Sequence, residues 1–453
     1  MKLKLAILAV AFLSACTAPI TEVPLRHGAG LALPPMKKFT APRVVAPARS
    51  NAAIAEDFLN LSFMMESGRA IPYLTRFEGP VQVHVAPGAP SSLHSDLGAL
   101  LSRLRREAGI DIDRTQNRDE AQIIIEALPH KELQRLVPQA ACFVVPRLNS
   151  WAEYKRTRRS STIDWTTLKT REKAAIFLPS DVSPQEIRDC LHEELAQALG
   201  PLNDLYSLPD SIFNDDNFHT VLTGFDMLIL RAYYAPELQN GMTRSQAAQR
   251  LPALLARLNP GGAGRGIGPS SPTPRAWIDQ IEVALGPNTT SSRRKAAATN
   301  AVALASKAGW RDNRMAFSLF AQGRLSLSTD PELALSSFLE AGRLYGARPG
   351  MEIQKAHVAM HLAAFSLSVG QFDSALAVIN ANLSPVAASE NAALLATMLM
   401  IKSEALEQLG RTSEARAVRL DSLGWARYGF GSDAEVRARL NEIAALSPRR
   451  VVQ

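Results

Sequence analysis

Two periods of hydrophobic and polar residues run along this chain, and the point where one gives way to the other divides it. Between about 55 and 200 both occur. Val81-Gln-Val-His-Val85 alternates residue by residue, as a strand with one buried face does. Ala121-Gln-Ile-Ile-Ile-Glu126, Cys142-Phe-Val-Val145 and Ala174-Ala-Ile-Phe-Leu178 are short apolar runs that read as further strands. Helical spacing is predicted for Ala55 to Glu66 and for Ser95 to Ala108, where Leu97, Leu100, Leu101 and Leu104 share one side. A third helix starts at Pro184, with Ser183 as N-cap and Glu186 at the capping-box position. Its later turns carry Leu191, Leu195, Ala198 and Leu199 on one side, and Gly200-Pro201 stops it. Mixed elements of this kind predict an α+β domain, bounded here at 52–258.

From about 290 onward the period is helical throughout. Gly370 and Gly410 are forty residues apart, and Ala375 and Ala415 each follow five residues later. Ala334, after Asp330-Pro331, has a similar setting. Small residues at fixed offsets let paired helices approach closely, and repetition of the unit marks a helical-hairpin solenoid. The units resemble tetratricopeptide repeats, with a longer period and few of the aromatic positions; an unrelated helical bundle is the alternative. The predicted all-α domain spans 276–450. Between the two domains, Asn259-Pro-Gly-Gly-Ala-Gly-Arg-Gly-Ile-Gly268 runs on into Ser-Ser-Pro-Thr-Pro. It follows no strand and lacks the Lys-Ser/Thr ending of a phosphate loop, so 259–275 reads as a linker.

Candidate chemistry gathers at the end of the helix from Pro184, where His192, Glu193, Glu194, Gln197, Asn203 and Asp204 crowd around an apolar stripe. A zinc peptidase places two histidines four residues apart so that both reach one metal. His192 fails that test, because the residue four places on is Ala196. One residue later, Glu193-Glu194-x-x-Gln197-x-x-Gly200-x-x-Asn203 resembles the metzincin helix, His-Glu-x-x-His-x-x-Gly-x-x-His. The resemblance implies Glu194 as general base, and Glu193, Gln197 and Asn203 or Asp204 at the metal-ligand positions. Ser211-Ile-Phe-Asn214 resembles the Met-containing turn of that family, with Phe213 in place of Met, and Asp226 to Tyr234 resembles its closing helix. The runs Cys190 to Asp204 and Asp210 to Asp216 are also similar to an uncharacterised family of bacterial envelope lipoproteins, from which no activity carries over.

The start of the chain changes the picture of location. Met1-Lys-Leu-Lys4 and the apolar Leu5 to Leu13 form a short signal, ending in Leu13-Ser-Ala-Cys16, which resembles a lipobox. The resemblance implies cleavage before Cys16 and lipid attachment to it, with an ordinary secretory signal or short anchor as the alternative. Acyl chains on Cys16 would anchor the protein to a membrane. Thr17 in place of Asp favours the outer membrane, facing the periplasm. Residues 17–51, rich in Pro, Ala and basic residues, read as a flexible tether. With Cys16 lipidated, Cys142 and Cys190 remain. In an oxidising compartment they are expected to form a disulfide, with two buried thiols as the alternative.

The chain has 453 residues and a formal charge of +7, modest for its length, and carries no nucleic-acid-binding signature. Lys155, Arg156, Arg158, Arg159, Lys169, Arg171 and Lys173 form a basic run around Trp151, Tyr154 and Trp165. It reads as a solvated loop with anchoring aromatics; a surface for anionic lipid or glycan is the alternative. Two functions follow from the whole. One is a degenerate metzincin-like domain used as a binding scaffold, with a protein partner on the helical repeats. The other is a metal-dependent peptidase with Glu194 as base. The oxygen-donor set suits Ca²⁺ or Mg²⁺ better than zinc if any cation binds.

Overall fold

A computed structural model describes residues 33–39, 45–264, 266, 268–287 and 289–448. The expected signal sequence and Cys16 lie outside them.

The N-terminal domain is built on five strands: β1 (Val81–Val85), β2 (Ile112–Arg114), β3 (Ile123–Leu128), β4 (Phe143–Pro146) and β5 (Ala174–Pro179). Their order is β2-β1-β3-β5-β4. All neighbours are parallel except the edge strand β4, which runs antiparallel to β5 with Val145 opposite Ala175. The helices are α1 (Asn51–Ser62), α2 (Ser91–Arg103), α3 (His130–Leu136), α4 (Trp151–Thr157), α5 (Pro184–Leu199), α6 (Gly224–Tyr233) and α7 (Arg244–Leu258). The first helix begins four residues before the predicted Ala55, because the Ser50 side chain accepts the Ala53 N–H and caps it.

Side chains on β5 alternate between two cores, as a strand buried on both faces requires. Ala174, Ile176 and Leu178 join α1, α2, α5, α6 and α7 in the main core, while Ala175 and Phe177 meet Leu133, Trp151 and Tyr154 from α3 and α4. Trp151 and Tyr154 of the basic run therefore anchor the second layer. Cys142 and Cys190 are joined by a disulfide, which ties the entry to β4 onto α5.

The C-terminal region is helical among the described residues: α8 (Arg275–Leu285), α9 (Ser291–Lys307), α10 (Asn313–Ser326), α11 (Pro331–Gly346), α12 (Glu352–Ser368), α13 (Phe372–Asn380), α14 (Leu383–Ala388), α15 (Ala392–Gln408), α16 (Thr412–Gly429) and α17 (Asp433–Leu446). Ala334, Ala375 and Ala415 are fully buried in the first turns of α11, α13 and α16, each packed on the preceding long helix. Gly370 and Gly410 turn the chain between partners with φ of +79° and +76°, a left-handed conformation that glycine adopts without strain.

The two regions are clasped together. Between α5 and α6 the chain makes a long loop, 200–223, and two of its aromatics are buried in the helical region. Tyr206 packs against Trp277 and Phe317, and Phe218 against Phe317, Phe320, Tyr345 and His357. Asn313 Nδ2 donates to the Tyr206 carbonyl at 2.7 Å, and Gln354 Nε2 donates to the Pro209 carbonyl. On the other side of α5, Arg188 pairs with Glu390 and Gln185 accepts the Ala393 N–H at 2.9 Å.

The expected tether is docked where it is described. Phe39 stacks on Trp425 at 4.5 Å, and Arg49 is buried over Phe225, paired with Asp57 and Asp210. The expected linker is packed as well, since Ser271 and Thr273 accept from the buried Arg314. Apolar and ionic partners on both regions hold these stretches although their own composition predicts no regular element. Among the described residues no helix is long and apolar enough to cross a membrane.

Candidate functional site

The site is built by α5 and the loop that follows it. A capping box starts the helix: Ser183 Oγ accepts the Glu186 N–H, and Glu186 accepts the Ser183 N–H. Its C-terminus is held by Arg171, which donates to the carbonyls of Gln197, Ala198 and Gly200 and lies over the Trp165 ring. A cation at a helix C-terminus meets the negative end of the dipole and fills otherwise orphaned acceptors. The basic run hid this role, because nothing in its composition separates one buried arginine from its solvated neighbours. Burial alone pushes the Arg171 pKa down.

The positions compared with zinc ligands do not behave as one set. Glu193 and Asp204 belong to one acidic cluster. Gln197 Nε2 donates to Asp204 Oδ2 at 3.5 Å, a long contact. Asn203 turns away, its Nδ2 donating to the Asn60 carbonyl of α1 at 3.0 Å. His192 is buried on another side of α5, where its Nδ1 accepts the Leu222 N–H at 3.1 Å. Burial, then Arg188 and Arg103, hold its pKa well below the usual imidazole value, so the ring is neutral and structural.

Below the helix, Phe213 is fully buried in the main core at the position compared with methionine. Asp226, the third residue of α6, accepts from Ser211 Oγ (2.5 Å), the Ile212 N–H (3.1 Å) and the Thr223 N–H (2.7 Å), locking the turn to the closing helix. Asn214 and Asp216 close on one another and on the Leu208 carbonyl and Phe218 N–H, apart from the helix. His219 Nε2 bonds the Pro209 carbonyl.

Five carboxylates act on one another here: Glu66 from the loop after α1, Glu193 and Glu194 from α5, and Asp204 and Asp215 from the long loop. No spacing or motif marks Glu66, which folding alone brings to the cluster. Glu194 is 4% exposed and its Oε2 has no hydrogen-bond partner among the described residues; neither does Asp204 Oδ1. Glu66 and Asp215 are exposed. Burial, then Asp215 and Glu66, push the Glu193 pKa up to about 8. Burial, then Glu193 and Glu66, raise Glu194 well above the usual carboxyl range, and burial with Glu66, Glu193 and Asp215 does the same to Asp204. Although the residue as a whole is exposed, the Asp215 carboxyl is raised to about 6, by desolvation against its neighbours first and then by Glu66 and Glu282. Clustered acids of this kind retain protons near neutrality unless a cation joins them.

The residues present do not fit zinc. Among the described residues no imidazole acts on these carboxylates, and no three His, Cys, Asp or Glu side chains are grouped closely enough to hold a metal ion.

Residues 51–253 match the model of a family described as "Protein of unknown function (DUF2927)". The match covers the α/β domain and stops before the helical region. No curated protein and no solved structure matches the chain.

Proposed function

We propose that this chain is a lipid-anchored protein of the bacterial envelope, held on the outer membrane through Cys16 and facing the periplasm, in which a degenerate metzincin-like domain serves as a binding scaffold with the helical repeats. The observation that carries the loss of catalysis is the fate of the ligand positions. Glu193 and Asp204 lie in one acidic cluster, Gln197 makes only a long contact to Asp204, Asn203 bonds to α1, and among the described residues no imidazole joins them in a metal-holding group. The order of elements supports the metzincin comparison: helix, strand, helix, strands, then the polar helix, a buried turn residue and a closing helix. The paired helices with buried Ala334, Ala375 and Ala415 support the comparison with tetratricopeptide repeats. A protein partner on the repeats would use surface left free by the loop carrying Tyr206 and Phe218, which already fills part of that region.

One observation favours a metal-dependent peptidase instead. Glu194, at the general-base position, keeps an unpartnered carboxylate oxygen in a buried site. Its raised pKa works against that role, because a base must be ionised at the operating pH.

Elemental analysis of the chain beginning at Thr17 without Cys16's lipid, purified without chelators, tests the proposal together with peptide hydrolysis by the parent and E194A. The expected result is no stoichiometric zinc and no hydrolysis that E194A removes. Stoichiometric zinc with Glu194-dependent hydrolysis overturns it.

A further inference from the structure

A cavity of about 540 Å³ lies where the two regions meet, and none of the five clustered carboxylates lines it. Its walls come from five separate parts of the chain: residues 45–48, Arg103 at the end of α2, the stretch from Asp210 to Phe225, the start of α12 and the helix α14. The first wall is seated directly on backbone, since a Cβ at Gly224 would meet the Val45 carbonyl oxygen at 1.8 Å. The lining is mostly apolar, and the volume is that of a small-molecule site.

Most polar groups in the lining are spent inside the protein. Thr223 Oγ1 donates to the Asp210 carbonyl, and Ser389 Oγ donates to the carbonyls of Pro385 and Val386. Asp210 accepts from Arg49 at 2.6 Å, and His219 Nε2 bonds the Pro209 carbonyl. Arg103 differs. It is 4% exposed, and its Nε and Nη2 each donate to Glu107 at 3.0 Å. Its Nη1 is buried with no hydrogen-bond partner among the described residues. Glu107 is not part of the lining, so Nη1 is the donor left for the cavity.

We propose that this cavity binds a small uncharged amphiphile, an alkyl or acyl chain ending in a carbonyl or hydroxyl oxygen that accepts from Arg103 Nη1. A buried donor without an acceptor is costly, and a ligand oxygen removes that cost. The charges select a neutral head. Arg103 is matched by Glu107, Arg49 by Asp57 and Asp210, and Glu352 adds a further carboxylate to the lining. An anionic head would meet these acids, and an ammonium head has no acceptor to offer Nη1. The walls select an aliphatic body, because one face of Phe225 is already covered by Arg49 at 3.8 Å and leaves a flat ring little to stack on. A peptide would bring N–H and C=O groups at every residue, which a mostly apolar lining leaves unpaired.

The probe is octanamide, titrated calorimetrically into the whole chain from Thr17, with octanoate and octylammonium as charged heads on a chain of the same length. One-to-one saturable binding of octanamide is expected, with both charged forms weaker by about tenfold or more. R103K keeps a cation beside Glu107 but removes Nη1, and should weaken octanamide about tenfold, as loss of a charge-assisted hydrogen bond does. Ala388 lines the cavity and is exposed, so A388W adds bulk there without disturbing a core; it should abolish binding and leave the urea midpoint unchanged. Should R103K fail to fold, A388W and the series of heads still decide. Absence of octanamide binding to the parent overturns the proposal, and so does undiminished binding to A388W or to folded R103K. Octanoate or octylammonium binding as tightly as octanamide overturns the neutral head. None of these results depends on zinc, hydrolysis or a lipid anchor, so the scaffold reading is judged separately.

Discussion

His192 Nδ1 accepts the backbone N–H of Leu222 at 3.1 Å, and this single bond stitches the polar helix to the far end of its own loop. An imidazole in that role must be neutral. Its pKa is held well below the usual value by burial, then by Arg188 and Arg103. A histidine depressed in the folded state contributes stability that is present above the unfolded value of about 6.5 and is lost as pH falls through the folded value. His192→Leu leaves the Leu222 N–H buried without an acceptor and should cost about 1–3 kcal/mol at pH 7.5. The cost should shrink below pH 6, where the parent loses what the variant no longer has. Urea unfolding at several pH values checks both; a cost that grows in acid contradicts the neutral-acceptor role.

The acidic cluster around Glu193 has the opposite sign. Glu193 is raised to about 8, by burial first and then Asp215 and Glu66. A carboxyl raised on folding binds its proton more tightly in the folded state, so stability falls as pH climbs from the unfolded value near 4.5 to about 8. Glu193→Gln mimics the protonated form at every pH. Its melting temperature should exceed the parent's at pH 8 and converge with it at pH 4. Equal melting temperatures at pH 8 would mean that Glu193 already has a cation.

Much of this was legible before folding. The capping box at Ser183, the strand alternation at Val81–Val85 and the offsets of Ala334, Ala375 and Ala415 are local patterns, and local geometry decides them. Strand β2 escaped notice because three residues carry too little period to register. The site was legible only along α5, where spacing is fixed by the helix. Glu66 reaches the cluster from 127 residues before Glu193, and Arg171 caps a helix that begins thirteen residues later. Such long-range neighbours leave no periodic trace. Asn203 and Asp204 stood as equals in the sequence, and the loop's backbone decided between them by aiming one at Asn60 and the other at Gln197 and the acidic cluster.

The disulfide between Cys142 and Cys190 closes a sequence separation of 48 residues. By loop-closure entropy alone, removing a cross-link of that span costs about 4 kcal/mol. The double variant C142S/C190S should lose stability of that order in urea, and the parent should lose as much in dithiothreitol. Because the bridge ends at β4 and α5, hydrogen exchange in 142–146 should rise most. Exchange that rises equally across β1 and β3 would show that the bridge stabilises the whole domain rather than its edge.

Arg188 and Glu390 form a buried pair, with side chains 10% and 3% exposed, that joins α5 to the helical region. Asp96 lies near the same arginine and bonds Tyr428 across the boundary at 2.8 Å. Breaking one half of a buried pair leaves the other charge uncompensated, which costs about 3–5 kcal/mol. Glu390→Gln and Arg188→Met should each lower the urea midpoint by an amount of that order. The double variant R188M/E390Q removes both charges and leaves neither uncompensated, so its loss should be smaller than either single loss. Loop residues Tyr206 and Phe218 hold a second contact between the regions, so the double variant should still unfold in one transition. Two separate transitions in calorimetry would show instead that this one pair, and not the aromatic loop, makes the two regions fold as a unit.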